Sequence, residues 1–334
     1  MTGGGAAIHF EGVTRRYGSV TAIAALTFDV RAGEMFGLIG PDGAGKTTTI
    51  RLAAGLLRPG AGAIRIFGRD PVADHRAITG EVGYLSQRFS LYGDLTIDEN
   101  IAFFAEIHGV PRYQAARDRL LEMTQLTAFR HRRADRLSGG MKQKLALACT
   151  LVHEPRLLLL DEPTTGVDPV SRREFWKLLS EFRSRGLTIV MATPYLDEAE
   201  RCARVALIHE GRLLALEAPS ALQARLAGQM LEVIADAPRP PLAVLSRAAG
   251  VLDVQSFGDR AHVRVAAGDA DRATAAIEAA LRDAGIPIVG VRAVAASLED
   301  VFIDLITGSE PSERARAREP RERSGAEGSP RASV

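Results

Sequence analysis

The chain has 334 residues, 46% of them hydrophobic, which is enough for about two globular domains. A formal net charge of +1, with 25% charged residues, lacks the positive excess that would indicate a nucleic-acid partner. The two cysteines, Cys149 and Cys202, show no metal-ligand spacing and are typical of free thiols in a reducing compartment.

The sequence gives no sign of membrane insertion. Residues 1–5 lack the basic and apolar regions of a signal peptide. No apolar run approaches the roughly 18–20 residues that a transmembrane helix needs. We therefore expect a chain that is soluble by itself and that reaches a membrane only through a partner.

Two strands and a tyrosine precede the most informative motif. Residues 8–13 alternate as a half-exposed strand does, and residues 25–30 form a second strand. Tyr17 lies between them with two arginines beside it, so its ring could stack on an adenine. On residue type alone, a packing role for Tyr17 is favoured over that stacking role.

Residues 40–48 have the spacing of a phosphate-binding P-loop, G-x-x-x-x-G-K-[ST]. A buried strand is predicted before the motif at 35–39, and a helix after it at 47–57. In this context the glycines let backbone amides surround a polyphosphate, Lys46 neutralises its charge, and the Thr47 hydroxyl can hold Mg²⁺. A glycine-rich surface turn is the disfavoured alternative. The candidate nucleotide-binding residues are Gly40, Pro41, Asp42, Gly43, Ala44, Gly45, Lys46, Thr47 and Thr48.

An aromatic-rich insertion follows the strand predicted at 82–87, which ends in Gln87. Thr96 is a predicted N-cap, and helical stretches continue to about residue 130, so a helical subdomain inserted into a sheet-based core is expected. Exposed Phe89, Leu91 and Tyr92 would indicate a docking surface there.

Small residues open the next helix at Ser138, Gly139 and Gly140. Such a start exposes backbone amides and could be a second anion site, but a simple serine N-cap explains the residues equally well. The sequence alone leaves both interpretations open.

Two carboxylates form the C-terminal end of the continuous apolar strand predicted at 157–162. The carboxyl ends of parallel strands are where α/β sheets bind ligands. Asp161 is placed to help hold Mg²⁺, and Glu162 is placed to polarise a water for attack on a γ-phosphate. Another buried strand is predicted at 188–193.

The final third of the chain has a different pattern. A hairpin at 205–214 and a short helix at 220–226 close the first unit, and a β-α-β-β-α-β order from about residue 231 predicts a ferredoxin-like module. An amphipathic helix capped by Ser297 follows. Residues 308–334 have almost no large apolar residue, so we expect disorder.

The P-loop, Gln87, LSGGM at 137–141 and LLLLDEP at 157–163 occur in an order that closely resembles the ATP-binding subunit of an ABC transporter. YLSQRFSLYGDLTIDEN at 84–100 resembles the drug-export group of ABC-2-type exporters. The resemblance spans roughly residues 6–307. It implies an α/β fold with a P-loop NTPase (RecA-like) core, an antiparallel β-subdomain and an inserted helical subdomain.

The domains implied are an ABC ATP-binding domain at 6–228, with its helical subdomain at about 89–155, and an accessory α+β domain at 229–307 before the tail at 308–334. The resemblance implies ATP and Mg²⁺. Tyr17 would stack adenine, which reverses the interpretation from its residue type. Lys46 would contact the β- and γ-phosphates, and Glu162 would be the catalytic base.

The metal would be held by Thr47, Gln87 and Asp161, and Gln87 would also link the site to a transmembrane partner. Ser138, Gly139 and Gly140 would bind the ATP of a second ABC ATPase subunit, and Asp168 would lie at the interface between the subunits. The other implied partner is an ABC-2-type permease, which would hold the chain at the cytoplasmic face of the membrane. No nucleic-acid partner is implied.

The chain departs from the family pattern at Pro194, where the family has a histidine that contacts the γ-phosphate. Proline offers neither a side-chain donor nor a backbone N–H. A heterodimer with a subunit that keeps its histidine is favoured over a homodimer in which Glu162 alone sustains hydrolysis. Asp42, where asparagine is usual, is a smaller departure. The alternative function is a soluble ABC ATPase with a regulatory or non-transport role.

Overall fold

A six-stranded sheet forms the centre of the computed structural model, which describes residues 5–87 and 91–309. The strands are β1 Ala6–Tyr17, β2 Val20–Arg31, β3 Met35–Ile39, β4 Ala61–Ile66, β5 Val82–Leu85, β6 Leu157–Asp161, β7 Thr188–Thr193, β8 Arg204–His209, β9 Arg212–Glu217, β10 Gln229–Ala235, β11 Val251–Phe257, β12 Arg260–Val265 and β13 Ile288–Val294. The α-helices are α1 Lys46–Ala53, α2 His75–Thr79, α3 Ile97–Ile107, α4 Gln114–Met123, α5 Gly139–Leu151, α6 Pro169–Ser184, α7 Leu196–Ala199, α8 Pro219–Arg225, α9 Leu242–Leu245, α10 Ala270–Asp283 and α11 Leu298–Ser309. Two 3₁₀ turns lie at Thr127–Phe129 and Ala134–Arg136.

The central sheet has the order β5-β6-β7-β3-β8-β9 and is parallel except for β9. Every residue of β3, β6 and β7 is buried, as continuous apolar strands covered on both faces require. A three-stranded antiparallel sheet, β2-β1-β4, packs beside it, and stacked rings of Phe10, Phe28 and Phe36 join the two sheets. The predicted α/β P-loop NTPase fold is confirmed.

Helices α3 to α5 form the insertion between β5 and β6. Thr96 caps α3 in a reciprocal capping box with Glu99, as the sequence predicts for the cap. Leu91 packs against the core, whereas Tyr92 is exposed and its ring contacts Phe103. Phe89, the third member of the predicted docking surface, lies outside the described residues.

The helix after the P-loop is shorter than predicted. It ends at Ala53, not at residue 57, because Gly55 takes a left-handed conformation with φ of 70°. The N–H of Leu56 then donates to the carbonyl of Arg51, and that of Gly55 to Leu52, which completes a Schellman motif.

The C-terminal module has the predicted β-α-β-β-α-β order, and its antiparallel sheet runs β11-β12-β10-β13. Its helices α9 and α10 cover one sheet face around Leu245 and Ile277. Helix α11 behaves differently, because Leu298 and Val301 are buried in the same apolar cluster as the helices of the first unit. At the same time Asp300 accepts a hydrogen bond from His262 on β12 at 3.0 Å, so α11 contacts both units.

The predicted disordered tail lies outside the described residues from position 310 onward. Within residues 5–87 and 91–309, no helix combines the length and the apolar character needed to cross a bilayer.

Candidate functional site

The loop between β3 and α1 contains two glycines, Gly40 and Gly45, that no other residue can replace without a collision. Gly45 has a φ of 100°, and a Cβ added there would lie 2.5 Å from the carbonyl oxygen of Ala22. A Cβ at Gly40 would lie 2.1 Å from the carbonyl oxygen of Ile208. The loop therefore packs tightly on β2 and β8, which fixes its shape.

Lys46, the first residue of α1, is only 3% exposed. Its Nζ donates to the carbonyl oxygens of Gly40 at 2.9 Å and Pro41 at 3.1 Å. The same atom lies 3.2 Å from Oε1 of Glu162 and 3.8 Å from Oδ1 of Asp42. The loop thus holds one ammonium group against the carboxylate of Glu162, which directly follows β6.

Asp161, the last residue of β6, is fully buried. Its Oδ1 accepts a hydrogen bond from the Thr47 hydroxyl at 2.9 Å, whereas its Oδ2 has no hydrogen-bond partner among the described residues. Burial raises the pKa of Asp161, and the hydrogen bond from Thr47 opposes that rise. An ionised carboxylate with a free buried oxygen is costly unless a cation approaches it.

This cost predicts the effect of Asp161→Asn on stability. Because the native pKa is raised, the stability that Asp161 contributes is complete below its unfolded pKa and is lost as the pH rises through the native value. At pH 7.5 with EDTA the asparagine variant should therefore melt higher than wild type, by about 2–4 °C for each kcal/mol recovered.

Differential scanning fluorimetry across pH 4–8 measures the difference in melting temperature between the variant and wild type. This difference should become smaller as the pH falls, because Asp161 is then protonated in wild type. Asp283→Asn, at an exposed position on α10, is the control. A variant that melts at or below the wild-type temperature throughout this pH range would show that the ionised Asp161 carboxylate does not destabilise the fold.

Glu162 follows β6 in a left-handed conformation, with φ of 49°. Its backbone N–H donates to the carbonyl of Ala192 at 2.9 Å, which fixes the residue at the end of β7. Its Oε2 accepts from Nε2 of Gln87 at 3.1 Å and lies 3.5 Å from the hydroxyl of Thr165. Glu162 is therefore held on one side by Lys46 and on the other by Gln87.

A cavity of about 520 Å³ opens above these groups. It is lined by Tyr17, Ala22, Asp42, Gly43, Gly45, Lys46, Thr47, Thr48, Gln87, Glu162, Thr165, Pro194 and Tyr195. Tyr17 is 45% exposed, with the Arg15 guanidinium 5.0 Å from its ring centroid. The packing role favoured from the residue type of Tyr17 is therefore wrong, because its ring forms part of the cavity wall.

The remaining predicted site residues do not line this cavity. Ser138 caps α5 by accepting from the N–H of Met141 at 3.3 Å, and Asp168 caps α6 by accepting from Val170 and Ser171. Hydrogen bonds from Ser171 hold the pKa of Asp168 below its usual value. A Cβ at Gly140 would lie 2.2 Å from the Ser171 hydroxyl, so the two helix starts are in close contact.

Gln143, which the sequence does not single out, joins α5 to the turn that follows β6. Gln143 donates from Nε2 to the carbonyl oxygen of Pro163, the residue after Glu162. Lys144 of α5 also pairs with Glu174 of α6 at 2.7 Å. The only available signal was the position of Gln143 one turn after Gly140, and its partner depends on the tertiary fold.

Comparison with known proteins identifies relatives that match most of the chain. A family model described as ABC transporter matches residues 23–165. "Probable multidrug ABC transporter ATP-binding protein YbhF" of Escherichia coli (strain K12) is 41% identical over 316 residues, which cover 92% of this chain and 53% of that protein. The chain thus spans about half the length of this relative.

Two further relatives are covered over most of their length. Nod factor export ATP-binding protein I of Paraburkholderia xenovorans (strain LB400) is 44% identical, with 65% of this chain and 72% of that protein covered. Daunorubicin resistance ATP-binding protein DrrA3 of Streptomyces coeruleorubidus is 34% identical, with 90% of this chain and 95% of that protein covered.

Solved structures agree with these relatives. An ATP-binding subunit of an ABC transporter matches with a TM-score of 0.60 and 30% identity over 65% of this chain and 92% of that chain. The cbiO1 protein of Clostridium perfringens, described as part of the ABC transporter complex cbiONQ, matches with a TM-score of 0.62 and 26% identity over 66% and 91%. The chain therefore belongs to the family of ABC transporter ATP-binding proteins.

Proposed function

We propose that this chain binds and hydrolyses ATP to power an exporter whose membrane-spanning permease is a separate polypeptide. The observation that carries the proposal is the contact of Lys46 in the P-loop with Glu162, which also bonds Gln87, above the Thr47–Asp161 pair. This arrangement brings a phosphate-binding cation, a base and the Thr47 hydroxyl to one cavity, with the buried Asp161 carboxylate bonded to that hydroxyl. The export class comes from the names of the relatives.

The residues present fit Mg²⁺. The hydroxyl of Thr47, the side-chain oxygen of Gln87 and the free Oδ2 of Asp161 are the oxygen donors that this ion prefers. The cavity wall carries Lys46 against the carboxylates of Asp42 and Glu162, so a polyphosphate would meet net negative charge unless a divalent cation accompanied it. When bound, Mg²⁺ would neutralise phosphate charge.

We assign a task to each of the main groups of the cavity. Tyr17 stacks on the adenine, the glycine-rich loop surrounds the phosphates, and Lys46 holds the β- and γ-phosphates. Glu162 accepts the proton of the attacking water, and Gln87 fixes the position of the Glu162 carboxylate.

We propose that a second ATPase subunit completes the ATP site. Ser138, Gly139 and Asp168 are exposed at helix starts outside the cavity, whereas Gly140 is buried beside Ser171. We assign all four to the ATP of a facing subunit. We propose a heterodimer in preference to a homodimer because Pro194 lines the cavity where the family pattern has a histidine. The ATP-binding domain would comprise residues 6–228 and the accessory domain residues 229–307.

The variant Pro194→His tests the proposed heterodimer, in which this chain's own ATP site turns over slowly. Restoring a donor that stabilises the transferring phosphate should raise the ATP turnover of the purified chain by about 10²-fold. Steady-state phosphate release measures this turnover, with Pro238→His, at an exposed position, as the control. Rapid wild-type turnover that the histidine does not raise would support the homodimer instead.

Recruitment to a membrane tests the transport proposal as a whole. The chain is co-expressed with a candidate ABC-2-type permease, and its partition between membrane and supernatant is measured with and without that permease. ATP-dependent recovery with the membranes is the expected result. A chain that binds ATP but stays in the supernatant would favour the regulatory, non-transport alternative.

A further inference from the structure

A buried carboxylate outside the cavity collects hydrogen bonds from three parts of the chain. Glu198, on the short helix α7, is 1% exposed. Its Oε1 accepts from Thr164 at 2.6 Å, from Arg172 at 3.1 Å and from Trp176 at 3.3 Å. Its Oε2 accepts from the hydroxyl of Thr193 at 2.7 Å.

Two of these partners belong to segments that line the nucleotide cavity. Thr164 stands between Glu162 and Thr165 in the chain and positions the turn that carries both. Thr193 ends β7, and its hydroxyl oxygen accepts the backbone N–H of Tyr195 at 3.1 Å. Glu198 therefore bonds two segments that contribute to the cavity wall, the one that follows β6 and the one that follows β7.

The other two partners lie on α6. Arg172 and Trp176 occupy its first two turns, directly after the cap residue Asp168. The guanidinium of Arg172 also lies 4.8 Å from the ring centroid of Tyr195, a residue of the cavity wall. One carboxylate thus joins the cavity wall to the helix whose start is proposed to face a second subunit.

The burial of Glu198 makes these four bonds interdependent. A carboxylate removed from water is costly unless its lone pairs are filled, so a shift of one donor must be matched by the others or by the carboxylate itself. A movement of Thr165 or Tyr195 against a bound phosphate would therefore reach α6 through Glu198.

We propose that Glu198 is a positioning residue that transmits nucleotide occupancy of the cavity to helix α6, an inference that rests on the proposed ATP-binding function. Glu198 does not touch the nucleotide. It orients the Thr164–Thr165 and Pro194–Tyr195 segments against the phosphates and passes their displacement to Arg172 and Trp176.

The chain carries its own reporter of this displacement, because Trp176 is its single tryptophan and its indole N–H donates to Glu198. A non-hydrolysable ATP analogue with Mg²⁺ should change the emission of Trp176 in wild type. In Glu198→Gln the analogue should bind with a Kd within about threefold of wild type, because Glu198 makes no contact with the P-loop, but the emission change should be lost.

Turnover supplies the second readout. Glu198→Gln should lower kcat at least about tenfold, with KM for ATP changed less than about threefold, because misplacing the catalytic segments affects the reaction more than binding. Glu200→Gln, two residues away, exposed and bonded to Gln223, is the matched control and should behave as wild type. Thr193→Val, which removes one of the four bonds to Glu198 and also the acceptor of the Tyr195 N–H, should show a partial loss of the emission change.

The outcomes separate the two proposals. Failure of wild type to bind the analogue in calorimetry would overturn the proposed function. Binding in wild type with no change in Trp176 emission, or with the same change in Glu198→Gln, would overturn the role of Glu198 alone. If Glu198→Gln does not fold, Thr193→Val decides, and a full wild-type response in that variant would contradict the proposal.

Discussion

Lys46→Ala should weaken the binding of Mg-ATP by about 10- to 100-fold, since a hydrogen bond to a charged group contributes about 1.5–3 kcal/mol. Lys46 is the one lysine that lines the described cavity, and its neighbours Asp42 and Glu162 are acidic. Removing the ammonium therefore deletes the phosphate contact and leaves two carboxylates facing the polyphosphate. Both effects act in the same direction.

Isothermal titration calorimetry with Mg-ATP measures the loss. Lys177→Ala, at an exposed position on α6, controls for the removal of a lysine from the chain. Because Lys46→Ala also leaves the Glu162 carboxylate without its ion pair, circular dichroism should first show that the variant is folded. Binding within about twofold of wild type by a folded variant would contradict the nucleotide site.

The central strands were predictable from the sequence because they are buried on both faces. β7 has the predicted bounds, and β6 ends at Asp161, one residue before the predicted end at Glu162. A continuous apolar run followed by polar residues has few other interpretations in an α/β protein. The same reasoning brought Asp161 and Glu162 to the edge of the sheet where the P-loop ends, and the structure places them there.

Features set by contacts between distant segments were not predictable. Tyr17 resembles a core residue by type, but it is the last residue of β1, beside the turn into β2, and is 45% exposed. Asp197, Glu198 and Glu200 look alike in the sequence, yet only Glu198 lies under Thr164, Thr193 and α6. No local pattern distinguishes which of three neighbouring acids is buried.

The partner of an amphipathic helix was likewise beyond the sequence. The pattern at 297–305 correctly predicts a helix with one buried face, but not the surface that covers it. Leu298 and Val301 pack into the core of the first unit, and Arg264 of β12 pairs with Asp304 at 2.9 Å. The predicted division at residue 228 therefore assigns to the accessory domain a helix that both units hold.

Glu162→Gln should separate binding from catalysis. Glutamine has the length of glutamate, and its single amide oxygen can still accept the hydrogen bond from Gln87, while the ion pair with Lys46 is lost. It cannot accept the proton of the attacking water, and loss of a general base costs about 10²–10⁴ in rate. We therefore expect turnover to fall by at least 10²-fold in a variant that still binds ATP.

Binding by this variant should be as tight as in wild type or tighter. In wild type the carboxylate of Glu162 lies 3.2 Å from Nζ of Lys46 and competes with phosphate for the same ammonium. The neutral amide removes that competition and one negative charge from the cavity wall, so attraction for the polyphosphate rises. Calorimetry and phosphate release on the same preparation measure both effects, with Glu181→Gln, at an exposed position on α6, as control. A turnover within about threefold of wild type would show that Glu162 is not the base, whereas loss of ATP binding would show that its carboxylate serves the phosphate site itself.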